Sequence, residues 1–174
     1  KNHKPIDGIV WAAGSELIKL TRLTTKIDIH NTFGTIYNGL LSAAKIFCSN
    51  KFWSDSGGTM VLISSVSSIR SNNGMLVYST AKASLKGALK SLSLDLSKYK
   101  TRINSILLGA VETEMHNRIT KNFNDKILND YKNKHLFGFG KVDDITPMVI
   151  FLLSEGSSWM TGSEITLDGG FTAN

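Results

Sequence analysis

The sequence predicts an α/β fold: a parallel sheet buried under helices on both faces. Two patterns carry this expectation. Short continuous apolar runs recur along the chain, and between them lie longer stretches whose apolar residues fall three or four positions apart. Ile9 to Ala13, Met60 to Ser64, Ile103 to Leu108 and Glu164 to Leu167 are such runs, each closing on small or polar residues. A run without polar alternation suits a strand covered on both sides. The first helical stretch sets Ile29, Phe33, Ile36, Leu40, Ala44 and Phe47 on one stripe, and the second does so with Leu85, Leu89, Leu92 and Leu96. A third helix is expected from Asp143-Asp144, whose carboxylates can cap open amides, through Leu152 and Leu153 to Gly156, with Pro147 inside its first turn. Strands alternating with helices favour parallel pairing through right-handed crossovers.

Composition agrees with one compact domain over residues 1–174. A chain of this length holds a single core by default. Its 41% hydrophobic and 20% charged residues are ordinary for a globular protein, and two prolines exclude a Pro-rich or fibrous class. The formal charge of +6 invites an acidic partner. Basic residues are scattered among acids, however, which argues against nucleic acid. The lone Cys48 excludes an intrachain disulfide framework and a cysteine-rich metal centre, so no metal site is expected and a reducing cytoplasm fits best. The longest apolar run, Met148 to Leu153, is too short to cross a bilayer, and no leader pattern opens the chain.

Residues 116–140 differ from the rest, being rich in Asn, Lys and Asp with dispersed apolar positions directly after a strand. Ligands of open α/β sheets bind beyond the carboxyl ends of the strands, so this segment is expected to act as a substrate lid. Arg118, Lys121, Lys126, Lys132 and Lys134 stand there against only Asp125 and Asp130. An anionic or carrier-bound substrate is one reading of that surplus; a solvated helix face is the plainer one. Trp159 and Met160 are expected to fill core or a subunit contact.

Tyr78 and Lys82 carry the chemical signal. Four apart at a helix start, they emerge on one face, and an ammonium near a phenol favours the phenolate. That matters because a free phenol, with a pKa of about 10, is a poor base at neutral pH. By themselves such pairs are common surface neighbours. Ser65 adds context: it stands at the carboxyl end of the Met60 strand, thirteen residues before Tyr78.

With these residues the sequence resembles the short-chain dehydrogenase/reductase family, in which a Ser ends a strand and Tyr-x-x-x-Lys follows at this separation. Here the motif reads Tyr78-Ser79-Thr80-Ala81-Lys82. Further matches follow in order: Ala13-Gly14 at a strand end, Asn31-Thr32-Phe33-Gly34, Ile63-Ser64-Ser65, Arg102-Ile103-Asn104, Gly109 with Thr113-Glu114-Met115, and Thr161-Gly162 leading to Asp168-Gly169-Gly170. The wording of the motifs is similar to the 3-oxoacyl-carrier-protein reductase branch. The resemblance implies a Rossmann-like doubly wound sheet and NAD(P)-dependent interconversion of a carbonyl and an alcohol. Tyr78 would be the general acid or base, with Ser65 hydrogen-bonding the same oxygen. Lys82 would lower the phenol pKa and hold the nicotinamide ribose, while Asn31 would anchor a relaying water. Ala13, Gly14, Gly109, Val111 and Thr113 would line the cofactor together with Tyr78 and Lys82. A homodimer or homotetramer packed through the helices of Asn31 and Tyr78 is also implied, with Ala81, Ala88 and Phe47 on the contact. The alternative from another class is a non-catalytic oligomer-forming or scaffolding relative.

Departures from the family pattern add further expectations. Ala12-Ala13-Gly14 replaces Asn-Ala-Gly, and Leu108-Gly109 replaces Pro-Gly, which frees the start of the cofactor loop. No Gly-x-x-x-Gly-x-Gly turn occurs before Ile9. The chain is therefore expected to hold only strands four to seven of the family fold, a partial domain lacking the first three strands and the glycine-rich pyrophosphate loop, with NAD or NADP undetermined.

Overall fold

The structure is a computed structural model describing residues 5–49 and 52–174. β1 (Gly8–Trp11), β2 (Gly58–Ser65), β3 (Thr101–Leu108) and β4 (Glu164–Leu167) form one sheet in the order β1-β2-β3-β4, every pair parallel. All four coincide with the predicted runs. β2 and β3 begin two residues earlier than expected, because Thr59 and Thr101 join the ladder buried yet carry no apolar signal. Met60 lies opposite Ile9 on one side and Ile103 on the other, which puts the most buried rungs at the middle of the sheet.

α1 (Lys26–Phe33) opens on a capping box: Thr25 Oγ1 accepts the Asp28 amide at 3.2 Å, and the Asp28 carboxylate accepts the Thr25 amide at 2.8 Å. A π turn, Gly34–Asn38, links it to α2 (Gly39–Phe47). The sequence predicts one unbroken stripe here. The wider turn shifts the phase between the halves, so Ile36, Leu40, Ala44 and Phe47 are buried while Ile29 is 44% exposed. α3 (Leu76–Ser97) lays Ala81, Leu85, Leu89, Leu92 and Leu96 on β2 and β3 beside α2. α6 (Val142–Leu153) covers the opposite face, where Leu152 meets Val61 and Ile106. Its first turn is held by the Asp144 carboxylate, which accepts the Lys141 amide at 2.7 Å, and Pro147 falls in the second turn rather than the first.

Polar side chains of β3 fix the return to β4. Asn104, fully buried, donates to Met160 O at 2.8 Å and accepts the Ser163 amide at 3.1 Å. The Arg102 guanidinium donates to Ser157 Oγ at 2.9 Å and Ser154 O at 3.1 Å. Trp159 at the apex of this return is almost wholly exposed, so it fills no core. The expected helix contact is also corrected: Ala81 and Phe47 are buried within their own chain between α2, α3 and the sheet, and cannot meet a partner. Among the described residues no helix is long and apolar enough to cross a membrane, and no group of three His, Cys, Asp or Glu side chains could hold a metal.

The expectation of a fold stripped of its N-terminal part is overturned. A Rossmann-like parallel sheet extends across nearly the whole chain and includes the N-terminal strand β1, followed by its connection to α1 over residues 12–25. The continuous alternation of strand and helix that marks β2 to β4 already starts at Gly8.

Candidate active site

A cavity of about 490 Å³ opens at the carboxyl ends of the strands, where Ala12 follows β1, Ser65 ends β2 and Gly109 follows β3. Ser65 caps the short turn 66–68, its hydroxyl accepting the Ser67 amide at 3.1 Å. α3 begins beyond that turn and presents Tyr78 and Lys82, one helical turn apart, to the same space. The structure thus brings Ser65, Tyr78 and Lys82 together, with Gly14, Gly109, Val111 and Thr113 also on the cavity wall. Asn31 and Ala13 are exposed outside the lining; the Asn31 carbonyl accepts the Gly34 amide and, at 3.1 Å, the Thr35 hydroxyl.

The electrostatics differ from the simple phenol–ammonium picture. Burial pushes the Tyr78 phenol above its ordinary value of 10.0, with the Ser65 hydroxyl pulling the other way. Burial also brings the Lys82 ammonium down from 10.5 to about 8. Its Nζ donates to Ile63 O at 3.1 Å and lies 5.9 Å from the Tyr78 ring centroid. Desolvation therefore outweighs the expected effect of Lys82 on the phenol in this geometry, and Tyr78 keeps its proton at neutral pH.

The loop after β3 is well tied in spite of its missing proline. Gly109 donates to Leu167 O at 3.2 Å, and a Cβ at this position would lie 2.8 Å from Asp168 Cα, so the two strand ends approach as only glycine allows. Gly140 donates to Ala110 O at 2.9 Å, Glu112 donates to Gly140 O at 2.8 Å, and the Ala110 amide donates to His135 Nε2 at 3.1 Å.

Sequence reasoning missed several wall residues: His116, Tyr131 and His135 from the expected lid, Phe171 beyond β4, and Glu16 after β1. Residues 116–140 contain the end of α4 (Glu114–Thr120) and all of α5 (Asp125–Asn133). Tyr131, His135 and Phe139 follow one another at intervals of four, an aromatic spacing that was legible in the sequence, and their rings pack together with 5.1 to 5.5 Å between centroids. Burial keeps both His116 and His135 below the usual imidazole value. Arg118, one of the cations for which an anionic substrate is the lesser reading, is held by Glu16, Nε to Oε1 at 2.6 Å and Nη2 to Oε2 at 3.2 Å.

The residues present fit the nicotinamide end of a dinucleotide. Ser64, which lines the cavity, has a buried hydroxyl with no hydrogen-bond partner. A Cβ on Gly14 would stand 3.5 Å from Lys82 Nζ, so the glycine leaves room beside the ammonium.

A parallel sheet with Ser, Tyr and Lys converging beyond its strand ends is the arrangement of a short-chain dehydrogenase/reductase, and comparison with known proteins agrees. The family model described as Enoyl-(Acyl carrier protein) reductase matches residues 1–172. A 3-oxoacyl-[acyl-carrier-protein] reductase of Chlamydia trachomatis is 30% identical over 173 residues, covering 97% of this chain and 66% of that protein. An L-xylulose reductase of Caenorhabditis elegans is 32% identical over 177 residues, covering 99% of this chain and 68% of its own length. The crystal structure of a short chain dehydrogenase family protein from Francisella tularensis superposes with a TM-score of 0.87 at 27% identity, covering 98% of this chain and 72% of that one. The chain belongs to the short-chain dehydrogenase/reductase family of NAD(P)-dependent oxidoreductases acting between carbonyls and alcohols. It spans about two thirds of the length of the curated relatives it matches.

These matches also correct two expectations on cofactor and family. The family model matches residues 1–172, so the likeness takes in β1 and its connection to α1 as well as the later elements. The expectation that the glycine-rich loop is absent is likewise corrected: the loop between β1 and α1 is present, with Gly14 on the cavity wall.

Proposed function

We propose that the protein interconverts a carbonyl and an alcohol with NAD or NADP, Tyr78 acting as the proton donor in reduction and as the base in the reverse direction. The observation that carries this reading is the convergence of Ser65, Tyr78 and Lys82 on one cavity beside the loop 109–113. When bound, the nicotinamide cofactor supplies the hydride. Addition to a carbonyl develops negative charge on its oxygen, and preorganised donors are most valuable where charge develops. Ser65 and Tyr78 are two hydroxyl donors for that oxygen, and the raised phenol keeps its proton until the oxygen takes it. Lys82 then stands beside the resulting phenolate, and Gly109, Val111, Thr113 and Gly14 border the nicotinamide. Asn31, exposed just before the π turn, is the proposed entry of the proton relay from solvent.

Leu17, Met75, Met115, Ile119 and Ile145 give the wall an apolar stretch, and Arg118 is engaged by Glu16. These features support a small uncharged carbonyl as substrate, with residues 116–140 as its lid. A cytoplasmic homodimer or homotetramer belongs to the same proposal. Exposed Ile150, Phe151 and Trp159 and the single thiol Cys48 support it, and sedimentation measures the mass. Tyr78→Phe tests the chemistry: turnover should fall on the order of a hundredfold or more with the fold intact, as for loss of a general acid. Turnover equal to wild type would remove Tyr78 from the role, whereas no turnover by wild type with either cofactor would favour a non-catalytic relative.

A further inference from the structure

We propose that His135 is a positioning residue for the cofactor, its Nε2 lone pair holding the loop after β3 in its receptive shape. The inference rests on the reading that residues 109–113 border the nicotinamide. His135 is 4% exposed, and its two ring nitrogens have distinct partners. Nδ1 lies 3.3 Å from Tyr131 O, which can only accept, so Nδ1 carries the proton. Nε2 then presents a lone pair, and the Ala110 amide donates to it at 3.1 Å. The ring is fixed by stacking on Phe171 with 4.7 Å between centroids, and by edge contacts to Tyr131 and Phe139 at 5.5 Å each.

Ala110 is the residue at which this contact has most leverage. Gly109 before it is pinned to Leu167 O, and the segment after it is pinned through Glu112 to Gly140. The Ala110 amide between these anchors has the imidazole as its partner, so His135 sets how the loop crosses the cavity mouth. The pairing works only for the neutral ring, since protonation would set an N–H against an N–H. The charged or titratable groups facing the ring are Asp168 beyond β4, which favours its cation, and His116 on α4, which opposes it; Tyr131 on α5 supplies its carbonyl. Arg70 lies over the Phe171 ring rather than against the imidazole. The loop should therefore hold through neutral pH and loosen in acid, below the ordinary imidazole range.

Two substitutions separate the parts of the contact. His135→Phe keeps a buried ring but removes the acceptor; His135→Gln removes the ring but keeps an acceptor. The readouts are hydrogen exchange at the Ala110 amide without cofactor, and calorimetric Kd for NADH and NADPH at pH 7.5 and 5.5. For His135→Phe, Ala110 exchange should quicken and Kd rise by roughly five- to tenfold, the scale of one net hydrogen bond. His135→Gln should recover most of both. Wild-type Kd should rise once pH falls far enough below the ordinary imidazole range to protonate His135, and that rise should vanish in His135→Phe. Unchanged Ala110 exchange in His135→Phe, or faster exchange with unchanged Kd, overturns the inference. Should His135→Phe not fold, a wild-type Ala110 amide that exchanges at the unprotected rate at pH 7.5 overturns it. Should wild type bind neither cofactor, the reading of the loop falls, and Ala110 exchange alone still decides whether His135 holds it.

Discussion

Replacing Lys82 with Met measures what it costs the fold to carry an ammonium in the cavity. Lys82 is 6% exposed, and burial lowers its pKa from 10.5 to about 8. At about 1.4 kcal/mol per pKa unit, keeping the cation buried at neutral pH costs on the order of 3 kcal/mol. Its hydrogen bond to Ile63 O offsets part of this, a charged donor being worth about 1.5–3 kcal/mol. Methionine keeps the stem and most of the volume, so Lys82→Met should be neutral to stabilising, by about 1–2 kcal/mol at pH 7. The pH dependence follows from the sign of the shift. Above 10.5 the side chain is neutral in both folded and unfolded chains, and the cost is gone. As pH falls from 10.5 towards 8, the unfolded chain takes up the proton first and wild type loses stability; below 8 the loss is constant. The variant's advantage should thus be full at pH 7 and much smaller at pH 10, read by urea unfolding with matched m-values. A variant less stable than wild type by more than about 1 kcal/mol at pH 7, or an offset identical at both pH values, would refute the reasoning.

Other consequences are simpler to check. Arg118→Ala releases the bidentate contact to Glu16 that joins α4 to the β1–α1 connection over the cavity. Because the pair is largely exposed, thermal stability should barely move while substrate KM rises; a clear drop in Tm with unchanged KM would reverse that assignment. Leu89→Ala removes a fully buried side chain between α3 and the sheet and should cost about 2–5 kcal/mol in urea unfolding. A loss below about 1 kcal/mol would mean that the α3 contact is not the core it is taken for.

The strands were legible because parallel strands buried on both faces leave unbroken apolar runs, and those runs survive in β2 and β3 even where threonine ends them. The first helix was legible in type but not in phase. Its stripe fits one helix from Ile29 to Phe47, and nothing in residue spacing announces that Gly34–Asn38 takes the wider turn which rotates Ile29 outward. The N-terminal expectation went wrong for a related reason. The sequence holds no Gly-x-x-x-Gly-x-Gly turn before Ile9, but parallel pairing of Gly8–Trp11 with Thr59–Leu62 depends on backbone geometry and requires no such pattern.

At the site, Ser65, Tyr78 and Lys82 were readable because a strand end and one helical turn fix them locally, so spacing in the chain becomes spacing in the cavity. The histidines were not, because they reach the wall through tertiary contacts: His135 lies 25 positions from Ala110 and meets Phe171 from beyond the last strand. The protonation of the pair depends on burial, which residue spacing does not carry. An ammonium four residues from a phenol suggests a lowered phenol, yet both groups are largely buried, and the cost of charging either there exceeds what the other supplies at 5.9 Å from the ring. A neutral Tyr78 and a Lys82 that titrates near 8 follow from that competition, and they suit the proposed role of Tyr78, which would give up its proton only when an oxygen with developing negative charge is present to receive it.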